Sequence, residues 1–264
     1  YPAALAYYAN TRDIRPDAAA IQTQGKQTVR TFFVDVREAG SWGTGVTRSD
    51  PRRRNQLWLA GKYGGFTDLN DNVLAHRTLG RVEELQWKSS ADGRAIQGWL
   101  VYPPGHQPGR KYPLLLEIHG GPFAAYGPHF APEIQLYAAR GWLVLYTNPR
   151  GSTSYGEEFA NQIHHNYPSQ DYDDLMSGVD AVIAKTGVDT TNLYVTGGSG
   201  GGVLTAWIVG HTDRFRAAVV AKPVINWYSF VLTSDFYPFF TDYWFSGLPW
   251  EKPEEYLRRS PISH

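Results

Sequence analysis

The sequence has no cysteine at all and only one methionine. Disulfides and cysteine-ligated zinc are therefore excluded, and the redox compartment is left open. There is no excess of charge of either sign, because 25 Lys and Arg balance 25 Asp and Glu. Such a balance leaves no electrostatic footprint for nucleic acid or an anionic membrane surface. No apolar run approaches the roughly 20 residues of a membrane span. The opening, Tyr1-Pro2-Ala3, carries neither an initiator Met nor a signal peptide, so the start reads as processed or trimmed. These features fit a soluble protein of cytoplasm or periplasm without choosing between them. No internal repeat is visible.

The 264 residues that are there are 42% hydrophobic and 14% aromatic, with nine Trp. That is enough for one large domain or two small ones with a sizeable core. One stretch organises the rest: Tyr194-Val195-Thr196-Gly197-Gly198-Ser199-Gly200-Gly201-Gly202-Val203-Leu204. It contains Gly197-x-Ser199-x-Gly201, the pattern of a nucleophile elbow. Asn192–Thr196 reads as a short buried strand, and Val203–Val209 reads as a buried helix. A serine between them sits on a sharp turn that lifts its hydroxyl above the sheet. A flexible Gly/Ser linker is the plainer reading, but linkers are not usually pinned between a β-rich run and an apolar helix.

Residues 1–80 read as β-rich, with strands expected at Thr28–Val36 and Gln56–Gly61. The basic triplet Arg52–Arg54 between them reads as a solvated loop. From Val82 the pattern changes. Val82–Lys88 and Ala95–Tyr102 read as strands joined by the turn Ser90–Gly93. Tyr112–Ile118 and Trp142–Tyr146 read as buried strands, and Pro132–Arg140 as a helix ended by Gly141. Asp171–Thr186 reads as an amphipathic helix with acids in its first turn. Arg216–Ala221 is one more strand. Strands alternating with helices predict a doubly wound, mostly parallel α/β sheet over 81–264. Sites in such sheets lie at the carboxyl ends of the strands, where both Ser199 and Gly121 fall.

An acyl-transfer site needs a nucleophile, a base, an orienting acid and an oxyanion hole. Ser199 is the nucleophile candidate. The oxyanion donors are expected to be the backbone N–H groups of Gly200 and of the His119-Gly120-Gly121 turn, chiefly Gly121. No base is found. His211 lies about 18 Å along the helix from the serine, and His264 has no strand ahead of it. No metal site is expected, since HExxH spacing is absent, and neither a Walker loop nor a strand-linked GxGxxG points to a cofactor. The aromatic run from Trp227 to Phe245 could wall a hydrophobic pocket or pack a core.

Together these blocks resemble the prolyl oligopeptidase family of serine peptidases, near the acylaminoacyl and dipeptidyl peptidases. The resemblance rests on Leu69-Asn70-Asp71, Gly98–Val101, Pro103-Pro104-Gly105, Tyr112–Pro122, Asn148–Gly156, Gly197–Gly201, Pro223-Val224 with Trp227, and Ser260-Pro261-Ile262. It implies a β-propeller followed by an α/β-hydrolase domain that cleaves short peptides through an acyl-enzyme on Ser199. It implies Gly200 and Gly121 as the oxyanion hole, and Val224, Trp227 and Phe230 as the wall of the pocket before the scissile bond. His119 stands where dipeptidyl peptidases carry a Tyr, which leans toward the acylaminoacyl type. The resemblance also places the family's Asp and His on loops beyond Ser260-Pro261-Ile262. The expectation is therefore an incomplete record of a larger enzyme, with 1–80 a remnant of a propeller-like domain. A carboxylesterase of the same fold, or a binding protein without the triad, are the rival readings. The expected partner is a peptide substrate; a homo-oligomer is left open.

Overall fold

The computed structural model describes residues 77–264. The strands expected at Thr28–Val36 and Gln56–Gly61, the Arg52–Arg54 triplet and Leu69-Asn70-Asp71 lie outside the described residues, as does the propeller-like reading of the N-terminal segment.

Alternating residues make β1 (Val82–Lys88) and β2 (Ala95–Val101), an antiparallel pair in register from Val82↔Val101 to Lys88↔Ala95. Continuous apolar runs make β3 (Tyr112–Ile118) and β4 (Leu143–Asn148), buried on both faces as parallel interior strands require. β5 (Val188–Gly198) and β6 (Ala217–Ala221) complete a sheet of order β1-β2-β4-β3-β5-β6. The last four strands are mutually parallel; β2 joins β4 antiparallel. The helices are α1 (Pro132–Ala139), α2 (Glu157–Ala160), α3 (Asp171–Lys185), α4 (Gly200–His211), α5 (Trp227–Thr233), α6 (Tyr237–Tyr243) and α7 (Pro253–Arg259). Among the described residues no helix is long and apolar enough to cross a membrane.

One face of the sheet packs Leu116, Leu145 and Val195 against α3 and α4; the other packs Leu115 and Val144 against α1 through Ile134 and Ala138. α3 forms because Leu175, Val179 and Val182 repeat at helical spacing, with Asp171, Asp173 and Asp174 at its positive end and Lys185 at its negative end. Trp87 of β1 crosses to α3. Its indole fills the slots left by Gly98 and Gly178, where a Cβ would come within 2.9 and 2.7 Å of the ring. Its Nε1 donates to the Asp174 carbonyl at 2.9 Å.

The segment after β4 turns on Arg150, which is fully buried. Its Nε and Nη2 donate to the two carboxylate oxygens of Asp174 at 2.9 and 2.8 Å. Nη1 donates to Gln170 at 2.6 Å, and Nη2 to Ser89 at 3.2 Å and Asp92 at 3.1 Å. One guanidinium thus joins the end of β4, the β1–β2 turn and the start of α3. Removing one partner of such a pair leaves an uncompensated buried charge, at a cost of about 3–5 kcal/mol. Asp174→Ala should therefore lower stability by that order in urea titrations. An unchanged midpoint would show that Asp92 alone satisfies the cation.

Three boundaries differ from the sequence reading. β4 runs on to Asn148 because Thr147 and Asn148 are themselves buried against β2 and β3. β5 begins at Val188, where Tyr112 opposite it opens an irregular register. α4 begins at Gly200, so the three glycines are its first turn and not a loop.

Candidate active site

The elbow is built by close approach. β5 delivers the chain to Ser199, which is exposed and sits at φ +58°, ψ −115°. Such a backbone is costly for a non-glycine residue and persists only where packing over-determines it. The Ser199 N–H donates to the Ala221 carbonyl at the end of β6, 3.0 Å, and the Ser199 carbonyl accepts from Val203 at 2.9 Å. A Cβ on Gly201 would lie 2.0 Å from the Ile118 carbonyl oxygen. Strand β3 therefore touches the first turn of α4 directly. The helix N-terminus also offers its unsatisfied N–H groups at this spot.

The turn after β3 faces the serine. A Cβ on Gly120 would lie 3.5 Å from Ser199 Cβ and 4.0 Å from its Oγ. A Cβ on Gly200 would lie 2.9 Å from the Gly121 nitrogen. The structure thus brings Ser199, Gly200 and Gly121 together, as the sequence reading expected of a shared site. Gly121 is exposed at φ +120°, a backbone closed to ordinary side chains.

His119 is neither base nor open oxyanion donor. Its ring is buried, and burial pushes its pKa below the ordinary imidazole value. Nδ1 lies 2.5 Å from the Gly120 carbonyl oxygen, a hydrogen bond in the Nδ1–H tautomer. Nε2 lies 3.0 Å from the Ser152 hydroxyl, itself 2.6 Å from the Pro149 carbonyl. The Gly120 carbonyl shares one peptide plane with the Gly121 N–H. The His119 ring therefore orients the peptide that presents that N–H. Ser152, two residues after the buried Arg150, thus ties the His119 ring to the segment that follows β4.

The aromatic run turns out to be two short helices, α5 and α6, with α7 following them. Asn226 caps α5 by accepting from the Ser229 N–H at 3.1 Å. Of the expected pocket wall, Val224 and Phe230 are half-buried against the core. Trp227 is 1% exposed, so it does not form the inner surface of an open pocket. It backs the wall instead, edge-on to Phe230 at 6.0 Å and to Trp244 at 5.3 Å. Phe123, two residues after Gly121, meets Phe239 of α6 edge-on at 6.4 Å. That contact joins the turn after β3 to the aromatic helices. The sequence reading missed Phe123, although its place after Gly121-Pro122 was a usable signal.

His211 and His264 lie together at the far end of α4, their ring centroids 4.4 Å apart. His211 is held by the Trp207 carbonyl at 2.8 Å and His264 by the Arg258 carbonyl at 2.9 Å. No described histidine bonds Ser199, and no group of three or more His, Asp and Glu among the described residues could hold a metal ion.

A sheet of this order, with a strained serine between β5 and α4 and a glycine turn after β3 against it, defines an α/β hydrolase. Residues 128–264 match the model of the prolyl oligopeptidase family, and the chain belongs to that family. Over 221 residues it is 41% identical to the uncharacterized peptidase YuxL of Bacillus subtilis, covering 83% of this chain and 34% of that protein. It is 31% identical over 203 residues to dipeptidyl-peptidase 5 of Schizosaccharomyces pombe, covering 73% of this chain and 29% of that one. Among solved structures, acylaminoacyl peptidase of Pyrococcus horikoshii superposes with a TM-score of 0.69 at 28% identity, covering 74% of this chain and 32% of that one. The chain spans about a third of the length of the curated relatives it matches.

Proposed function

We propose that the chain forms the nucleophile side of a serine peptidase acting on oligopeptides or acyl-peptides. The observation that carries this reading is Ser199 itself, an exposed side chain on a left-handed backbone with the Gly120-Gly121 turn against it. In this reading Ser199 Oγ attacks the scissile carbonyl carbon and gives up its proton to a general base. The carbonyl oxygen becomes an oxyanion beside the N–H groups of Gly200 and Gly121. The C–N bond then breaks, the amine leaves with a proton, and an ester on Ser199 remains for water to hydrolyse. Each backbone donor to such an oxyanion is worth about 10²–10³ in rate. Val224 and Phe230 supply apolar surface for the residue before the scissile bond, braced by Trp227.

The names of the relatives, dipeptidyl-peptidase 5 and acylaminoacyl peptidase, support a peptide substrate. The test is fluorophosphonate labelling of the intact protein followed by turnover of peptide anilides and simple esters. Labelling that vanishes in Ser199→Ala, with anilide turnover falling by about 10⁴-fold or more, is the expected result. Absence of labelling in the unaltered protein would remove the hydrolase reading. Turnover of esters alone would make the protein a carboxylesterase.

A further inference from the structure

Below the elbow lies a buried polar cluster that the mechanism above does not use. Tyr167 is 1% exposed, in the segment between the 3₁₀ turn at Asn161–Ile163 and α3. Its hydroxyl donates to the Gly200 carbonyl at 3.1 Å. Its ring packs against the aromatic helices, 5.3 Å from Trp244 and 6.3 Å from Trp227. Its own carbonyl accepts from Arg259 of α7 at 3.4 Å. Arg259 is 5% exposed, donates also to the His165 carbonyl, and among the described residues has Glu255 as its one carboxylate partner, 3.6 Å from its Nε.

Gly200 needs such a restraint. It has no Cβ because the Gly121 backbone occupies that space. Without a side chain its φ and ψ are freer than those of any other residue, and the next two positions are glycine as well. Yet preorganised donors act only when they are already aimed where the charge develops. A hydroxyl bonded to the Gly200 carbonyl fixes the far side of the residue whose N–H faces the oxyanion. The aromatic packing and the Arg259 clamp in turn fix that hydroxyl.

The geometry points to Tyr167 as a positioning residue, holding Gly200 so that its N–H is aimed before the substrate arrives, and tying the elbow to the pocket wall through Trp227 and Trp244. This inference rests on Ser199 being the nucleophile. The experiment is steady-state kinetics and fluorophosphonate labelling of the intact protein and its Tyr167→Phe variant. The ring is kept, so the aromatic packing is preserved and only the hydroxyl is lost. We expect kcat to fall about tenfold with KM unchanged, and the labelling rate to fall in the same proportion, because only the transition state uses the donor. Should Tyr167→Phe fail to fold, Arg259→Lys loosens the clamp from outside and should give the same split. Equal labelling and kcat in variant and parent, or a rise in KM alone, would overturn the role of Tyr167 while leaving Ser199 standing. No labelling of the parent would remove both.

Discussion

Gly201→Ala is expected to be among the most damaging single-methyl additions in the domain. The new Cβ would sit 2.0 Å from the Ile118 carbonyl oxygen and 2.8 Å from that of His119. Both are backbone atoms at the end of β3, inside the sheet, and neither can swing aside as a side chain would. Relief requires α4 to back away from the strand, and the His119-Gly120-Gly121 turn must then separate from Ser199. Overpacking against such rigid atoms costs about 3 kcal/mol or more, or about 10 °C in Tm for a domain of this size. Ser199 labelling should fall by at least about 10²-fold, since one oxyanion donor is misplaced. Gly93→Ala is the control. Gly93 is also left-handed, at φ +74°, but a Cβ there meets nothing within 4 Å. It should cost only the backbone term of about 1–2 kcal/mol and leave labelling intact. A Gly201→Ala protein that melted and labelled like its parent would show that β3 and α4 do not touch as described.

The second expectation concerns pH. Glu117 of β3 lies two residues before the oxyanion turn and is 9% exposed. Burial pushes its carboxyl up to about 8; Glu133 of α1 adds repulsion, and the Tyr126 hydroxyl, 3.3 Å away, opposes the shift by donating to it. The second oxygen has no partner. The native state therefore keeps this proton to about pH 8, while the unfolded chain releases it near 4.5. Between those values the native state holds more protons, so stability falls as pH rises. The loss is absent below pH 4.5 and complete above about pH 8, and amounts to the order of 4–5 kcal/mol. Glu117→Gln removes the ionisation and can still accept from Tyr126. Parent and variant should have similar denaturation midpoints at pH 5, and the variant should be clearly the more stable at pH 9. Asp171, also pushed up by burial, to about 7, contributes its own slope to both proteins, so the difference between them is the measurement. Parallel slopes in parent and variant would refute a buried protonated Glu117.

The strands were legible where burial on both faces writes a continuous apolar run, as at Tyr112–Ile118. α3 was legible because its buried stripe and its end charges agree. The strained serine between β5 and α4 and the glycine turn after β3 were legible because each is a local pattern. The contacts that hold them were not. Arg150 and Asp174 are 24 residues apart, a separation no local pattern bridges. The glycines at 200–202 have poor helix propensity, and only the close approach of β3, β6 and Gly121 shows why helix and glycine coincide there. The aromatic run hid α5 and α6 because apolar residues on every side of a short helix leave no period to detect. Trp227 was expected to line a pocket wall and is 1% exposed, packed among Phe230, Phe240, Trp244 and Phe245, a burial that composition alone does not reveal.

Trp87 sets how the domain answers a mechanical pull. Tension on the chain just before Val82 acts on β1, which among the described residues pairs with β2 alone. The bond from the Tyr102 N–H to the Arg81 carbonyl takes the load first, then the Val82↔Val101 pair, and the ladder opens one pair at a time toward Lys88, an unzipping path of low resistance. The peeling then reaches an indole wedged between Gly98 and Gly178 and bonded to the Asp174 carbonyl. Force transmitted along β1 is arrested there, one residue short of the turn, before it reaches β4, Arg150 or the serine.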